Sequence, residues 1–422
     1  MFTSLLLVLS GALLVLLGRL AIALAQPAPA YRTRCQPIPL DSPEYRRHIE
    51  VLTDTHFVND SHLEVLTNGL EIYPAIFDAL EQARYSIDLE AFIIHPGEVA
   101  VELRDILAER ARAGVQVRAL FDRFGSHETH RSFFNPVREA GGHVEWFRPV
   151  RWHTLPRLNS RNHRNVVIID DCVAFVTGSG YSDDWFKSRP RRPRWRDTGF
   201  RVEGDIVLQL QATFIQDWLE ASGEVLTDGK YEAARREPGV PAAAINEDFS
   251  PGGSSRVRIL KQTFLTCARQ SILIATPYFL PDDSARDDIL RAVERGVRVR
   301  VVTNGNKVDH AFVRNYARMR YGPMLKAGVE IHEYLPAMYH TKSMVVDGIW
   351  SIVGTSNWDS RSFQLNNEIN LAVLDEGFAR RVAADFERDA AECCLLTYEN
   401  WLKRSLVERV QARLGSLLWR HA

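Results

Sequence analysis

Charge is absent from residues 2–18 (FTSLLLVLSGALLVLLG), and beyond Arg19 the apolar run resumes as LAIALA to Ala25. A stretch of that length is about enough to cross a bilayer as a helix. Residues 1–25 are therefore read as a hydrophobic N-terminal helix, a transmembrane anchor or signal segment. Ala23-Leu24-Ala25 before Gln26-Pro27 also fits a signal-peptidase site, although no Lys or Arg precedes the run. Arg19, Arg32, Arg34, Arg46 and Arg47 all follow the apolar positions. By the positive-inside rule this favours an inner-membrane anchor with the body of the chain on the cytoplasmic face; a cleaved or outward-facing form is the alternative. After a linker at 26–55, Pro-rich to about Pro43, short β-branched strands alternate with longer helical stretches. That pattern predicts α/β layering.

The alternation repeats itself. Ala83-Arg84-Tyr85-Ser86-Ile87 leads into DLEAFII, and Ala268-Arg269-Gln270-Ser271-Ile272 leads into LIATPYFL. Helical segments then close through Gly114 into Val115-Gln116-Val117 and through Gly296 into Val297-Arg298-Val299. Ala140-Gly141-Gly142-His143-Val144-Glu145 answers Ala327-Gly328-Val329-Glu330-Ile331. HRNVVIIDDCVAFVTG, from His163, answers HTKSMVVDGIWSIVGT, from His340. Four matches in one order predict two α/β halves, at 56–235 and 236–400, each a mixed sheet flanked by helices. From Trp401, apolar residues at Leu402, Leu406, Val410, Leu414 and Leu417 approach helical spacing among basic ones. Residues 401–422 are read as a basic amphipathic helix that lies on a bilayer or docks on the core.

The matched histidines carry the chemistry. On an extended segment His340 and Lys342 project to one face. Asp347-Gly348 reads as a turn, with Asp347, like Asp170, a structural anchor. Gly354-Thr355-Ser356-Asn357 then offers small and polar groups to a phosphate. An imidazole serves as nucleophile or proton donor near neutral pH, and an ammonium steadies charge on non-bridging oxygens. Glu368 is assigned as the carboxylate that fixes the tautomer of the second-half imidazole. Asp197 is its first-half counterpart, 34 residues beyond His163 against 28 from His340 to Glu368.

HxKxxxxD followed by Gly-Thr-Ser-Asn, from His340 to Asn357, resembles the signature of the phospholipase D superfamily. The segments YPAIFDALEQARYSIDLEAFII, RWRDTGFRVEG, PYFLPD and HTKSMVVDGIWSIVGTSNWDSRSFQLNNEIN resemble bacterial cardiolipin synthases. The resemblance implies one active site where the halves meet, and a two-step reaction free of metal and cofactor. A phosphatidyl group would pass through a phosphohistidine to a lipid or alcohol acceptor. By analogy His163 is the nucleophile and His340 the acid and base, with phosphatidylglycerol or a similar lipid as substrate.

The first half departs from the pattern. Asn165 stands where the motif has Lys, and Gly180 follows Ser179 where an Asn is expected. Loss of a cation acting on the transition state lowers rates by powers of ten, at ~1.4 kcal/mol for each. Arg164 has the wrong parity to replace it, whereas Arg161 shares the face of His163, and Arg196 is a further candidate. The proposed substrate-binding set is Asn165, Ser179, Ser356, Asn357 and Arg196. Phe279 and Trp358 either line a lipid channel or belong to the core.

Composition narrows the choices. Of 422 residues 45% are hydrophobic and 25% charged, which excludes wholesale disorder, and a net charge of −1 provides no field for nucleic acid. Five cysteines without CxxC spacing, and histidines without HExxH spacing, suggest neither a disulfide framework nor a metal site. The run Arg189–Arg196 either gathers anionic headgroups of a membrane or is a solvated loop. The alternatives to a phosphatidyltransferase are a phospholipase-D-type hydrolase of lipid or nucleic acid, and a weakly active lipid-binding relative.

Overall fold

The computed structural model describes residues 38–149, 159–190, 192–227, 238–249, 254–405 and 408–410, with short pieces among 10–33 and residue 229. The N-terminal apolar run and most of the basic C-terminal stretch fall largely outside these residues. Among the described residues no helix is long and apolar enough to cross a membrane.

In the first half the strands are β1 (Val58–Thr67), β2 (Ser86–Ala91), β3 (Gln116–Asp122), β4 (His143–Phe147), β5 (Val166–Ile169), β6 (Val173–Thr177) and β7 (Thr198–Glu203). In the second they are β8 (Val240–Glu247), β9 (Ser271–Ala275), β10 (Arg298–Asn304), β11 (Glu330–Tyr334), β12 (Ser343–Val346), β13 (Trp350–Gly354), β14 (Glu368–Leu374) and β15 (Cys393–Leu396). The order β4-β3-β2-β5-β6-β7-β1 recurs as β11-β10-β9-β12-β13-β14-β8, with β15 added at the edge. The repeat seen in the sequence is thus a repeat of topology. Strands β2, β3 and β4 run parallel, as do β9, β10 and β11. The hairpins β5–β6 and β12–β13 are antiparallel, so the sheet is mixed in each half. β1 pairs antiparallel with β8, and the halves share one sheet.

The crossover helices Glu98–Arg112 and Asp283–Glu294 bury one apolar stripe each on the sheet. Both stop at a glycine with positive φ, Gly114 at 88° and Gly296 at 89°, where a side chain would be strained. Helices Ile206–Ser222 and Glu376–Ala391 cover the seam, over a core that includes Val176, Phe200, Phe214, Val353 and Leu371. Full burial of a ring such as Phe214 is worth about 1.5–3 kcal/mol.

The residues read as linker are in part structured. Ser42 caps the helix Pro43–Thr53 by accepting from Tyr45 N at 3.1 Å, and Pro43 occupies the first turn. Tyr45, Ile49 and Thr53 form its buried stripe, with Tyr45 edge-on to Phe264 and Trp350. The proline that suggested a linker is a helix start.

Asp170 and Asp347 occupy equivalent turns at φ of 52° and 50°. Asp170 accepts from the backbone N–H groups of Arg84, Tyr85 and Ser86, and Asp347 from those of Arg269, Gln270 and Ser271, at 2.6–3.2 Å. Each carboxylate pins the start of a parallel strand to the hairpin beside it.

Candidate active site

His163 and His340 each lie three residues before a hairpin strand, β5 and β12, at the same end of the sheet. Each segment is fastened to the opposite half. His163 N donates to Asn367 O at 2.9 Å and Asn367 N to Arg161 O at 2.8 Å. Reciprocally, His340 N donates to Arg196 O at 2.7 Å and Arg196 N to Met338 O at 2.9 Å. The carboxylates next in sequence, Glu368 and Asp197, are thereby delivered to the other half's imidazole.

This exchange corrects the expected pairing within each half. His163 Nδ1 lies 3.0 Å from both oxygens of Glu368, and His340 Nδ1 lies 2.9 Å from Asp197 Oδ2. Sequence separation misleads here because the two segments meet side by side across the interface.

Glu368 is fully buried and also accepts from Thr355 Oγ1 at 2.5 Å and Ser362 Oγ at 2.7 Å. Burial pushes its pKa up, but the charge of His163 and these donors outweigh that and hold the carboxyl below its ordinary value. Asp197, also fully buried, accepts from Trp185 Nε1 at 2.9 Å and from Thr198 N at 2.8 Å. Gly178 makes room for it, since a Cβ there would stand 2.5 Å from Asp197 Oδ1.

The rings of Trp185 and Trp195 pack on His340 at 5.4 and 5.6 Å. Burial, then the charge of Lys342, lowers the His340 pKa against the pull of Asp197. The charge of His163 adds to that lowering, which puts both imidazoles in one electrostatic neighbourhood. Lys342 Nζ lies 3.0 Å from His340 Nδ1 and donates to His340 O at 2.7 Å. Burial pushes its ammonium down to about 8, although Asp197 and Glu368 oppose the shift.

The remaining predicted residues divide. Ser356 Oγ donates to Asn370 Oδ1 at 2.7 Å. The oxygens Asn357 Oδ1 and Ser179 Oγ are buried without partners among the described residues, one in each half. Asn165 is not a free phosphate donor: its Oδ1 accepts from Phe92 N at 3.1 Å, and its Nδ2 lies 3.5 Å from Gly178 O. An amide fills the place by bridging two backbone groups. Gly180 sits so close to Ile93 that a Cβ would stand 2.6 Å from Ile93 O, which excludes the expected Asn. Arg196 does not serve the phosphate. Its Nε donates to Asp389 Oδ1 at 2.8 Å and its Nη1 to Thr198 Oγ1 at 2.9 Å, because the backbone bond to Met338 turns the side chain into the helix Glu376–Ala391. Phe279 and Trp358 are core residues.

Sequence reasoning missed Lys261. Its ammonium is buried beneath the Ser356–Asn357 turn, donating to Ser356 Oγ and Asn357 O, both at 2.9 Å, and burial pushes it down to about 7. The signal was a lysine on the same helical stripe as Val257, Leu260 and Phe264, where only apolar residues are expected.

Three comparisons bear on this arrangement. Residues 262–390 match the family described as cardiolipin synthase, PLD-like domain. The chain is 36% identical over 369 residues to the major cardiolipin synthase of Bacillus subtilis, covering 86% of this chain and 76% of that one. It is 34% identical over 363 residues to a cardiolipin synthase of a Geobacillus species, covering 84% and 71%. In fold it is similar to the phosphatidylserine synthase of Haemophilus influenzae, with a TM-score of 0.69 at 13% identity over 89% of this chain and all of the other.

Proposed function

The chain belongs to the cardiolipin synthase family of phospholipase-D-like phosphatidyltransferases, and from that premise we propose how its own residues carry out the transfer. One imidazole attacks the phosphorus of a phosphatidyl donor and the other protonates the departing glycerol. The second imidazole then takes the proton of the incoming alcohol as the P–N bond gives way to a new P–O bond. Lys342 and the hydroxyl of Ser179 hold the non-bridging oxygens, together with the amide N–H groups of Asn357. The donor is phosphatidylglycerol or a close relative, the acceptor is the glycerol headgroup of a second lipid, and the work is done at an anionic membrane to which residues 1–25 anchor the chain.

The observation that carries this reading is the exchange of carboxylates. Each imidazole, His340 buried and His163 partly so, has its Nδ1 held by an acid from the opposite half, which fixes the tautomer and leaves Nε2 for the phosphate. The test is purified full-length protein in phosphatidylglycerol vesicles, followed for cardiolipin, phosphatidic acid and glycerol beside a His340→Ala control. Cardiolipin and glycerol made only by the unaltered protein support the reading. Phosphatidic acid alone would make it a hydrolase. Vesicle binding without turnover would make it a lipid-binding relative, and cleavage of DNA without lipid turnover would make it a nuclease.

The resemblance assigns attack to His163 and proton transfer to His340. One observation favours the reverse order: burial and Lys342 lower the His340 pKa, which keeps that ring neutral and nucleophilic at pH 7. Rapid denaturation in detergent at alkaline pH, with a donor labelled at phosphorus, separates the two orders, because a phosphohistidine survives alkali and not acid. The variant that still accumulates label on protein retains the nucleophile.

A further inference from the structure

Most deeply buried arginines near the site are neutralised. Arg164 meets Asp217 and Asp248, Arg118 meets Asp88, and Arg196 meets Asp389. Arg161 is different. It is only 3% exposed, yet its Nη1 is buried with no hydrogen-bond partner among the described residues. It stacks over Phe124 at 4.9 Å, a ring that is itself 61% exposed at the rim. Asp122, the acid whose field it feels, already accepts from the backbone N–H groups of Phe124, Gly125 and Asn162.

The backbone decides where this cation points. Asn162 sends its amide into the interior, to Glu90 at 2.9 Å and Asp217 at 3.0 Å. Its neighbours Arg161 and His163 therefore project the other way, about 6–7 Å apart on an extended segment. Arg361, tied to Asn159 Oδ1 and O, adds a second positive charge that interacts with both Arg161 and Glu368.

We propose that Arg161 forms an anion subsite for the phosphodiester of the acceptor lipid, beside and distinct from the phosphorus under attack. The proposal rests on the phosphatidyltransferase reading. A phosphatidylglycerol acceptor carries its own phosphate, a glycerol away from the hydroxyl that reacts. Water and simple alcohols carry none. A guanidinium with an unpartnered Nη1 suits a phosphodiester. In the second step the P–N bond breaks, the acceptor oxygen joins the phosphorus, and its proton passes to the partner imidazole. Arg161 acts only on which acceptor is in place.

The experiment lets two acceptors compete for one phosphoenzyme. Full-length protein is given phosphatidylglycerol vesicles with ethanol, and the ratio of cardiolipin to phosphatidylethanol is read for the unaltered chain, Arg161→Gln and Arg161→Lys. That ratio reports the second step alone, so slow donor cleavage or partial unfolding lowers both products and leaves it unchanged. The expected result is a ratio at least tenfold lower in Arg161→Gln and a smaller fall in Arg161→Lys. A ratio equal to that of the unaltered protein overturns the subsite, and the Lys variant decides if the Gln variant does not fold. An unaltered protein that makes neither product overturns the lipid reading itself, a separate failure.

Discussion

The segments at His163 and His340 occupy equivalent places in two seven-strand repeats, yet they equip a phosphate differently. At His340 the motif is complete: Lys342 stands 3.0 Å from the ring nitrogen Nδ1, Asn357 is in place, and Lys261 lies beneath the turn. At His163 the equivalent lysine is Asn165, its amide taken up by backbone groups, and the equivalent asparagine is excluded by Ile93. What the two keep in common is the exchanged carboxylate and the aspartate-pinned turn. The lesson is that the halves share the device that orients each imidazole and divide charge handling unequally.

The comparison breaks first at the histidines. His163→Ala and His340→Ala should each lower cardiolipin formation by at least about 10⁴-fold, because the two rings act as one unit. Survival of turnover in either variant would end the equality. Next come the exchanged acids, where Glu368→Gln and Asp197→Asn should cost about 10²–10⁴-fold by loosening tautomer control. In labelling with an alkaline detergent quench Glu368→Gln should reproduce the His163 variant, and Asp197→Asn the His340 variant.

The charge asymmetry gives smaller effects. Lys342→Asn should lower turnover by about 10²–10³-fold, whereas Asn165→Lys should raise it by no more than about tenfold. Losing the Phe92 bond should also cost the latter variant about 1 kcal/mol of stability, read by denaturant unfolding. Asp170→Ala and Asp347→Ala should each cost about 1.5–3 kcal/mol through lost backbone contacts, in similar measure for the two turns. Least in amplitude is a pH effect. Lys342 acts when charged, and its pKa is pushed down to about 8, so turnover should fall as pH rises through that value. Lys342→Arg, whose cation does not deprotonate, should move the alkaline limb upward.

Much of this was legible in the sequence because a repeat is legible. The matched Ala-Arg…Ser-Ile, Ala-Gly and His segments mark strands β2 and β9, β4 and β11, β5 and β12 in order, and the α/β alternation supplies the helices between. The exchange of carboxylates was not legible, since spacings of 34 and 28 residues describe the chain and not the interface where Asn367 and Arg196 pair with the other half. Arg196 misled for the same reason: a basic residue near the site in sequence does not show the acid waiting for it across the interface, Asp389. Pro43 looked like linker because proline ends a run as readily as it begins a helix. Lys261 was hidden by its own improbability, a charge on an apolar stripe.

Trp185 and Trp195 pack on each other and together wall one side of His340, and Trp185 also donates to Asp197, the acid that holds the ring. A protonated imidazole quenches the emission of an adjacent indole, whereas a neutral one does so weakly. The walls that shape this ring therefore also make it optically visible: the part of the emission that is lost in Trp185→Phe and Trp195→Phe, set against the seven other tryptophans, follows its proton without a label and without waiting for turnover.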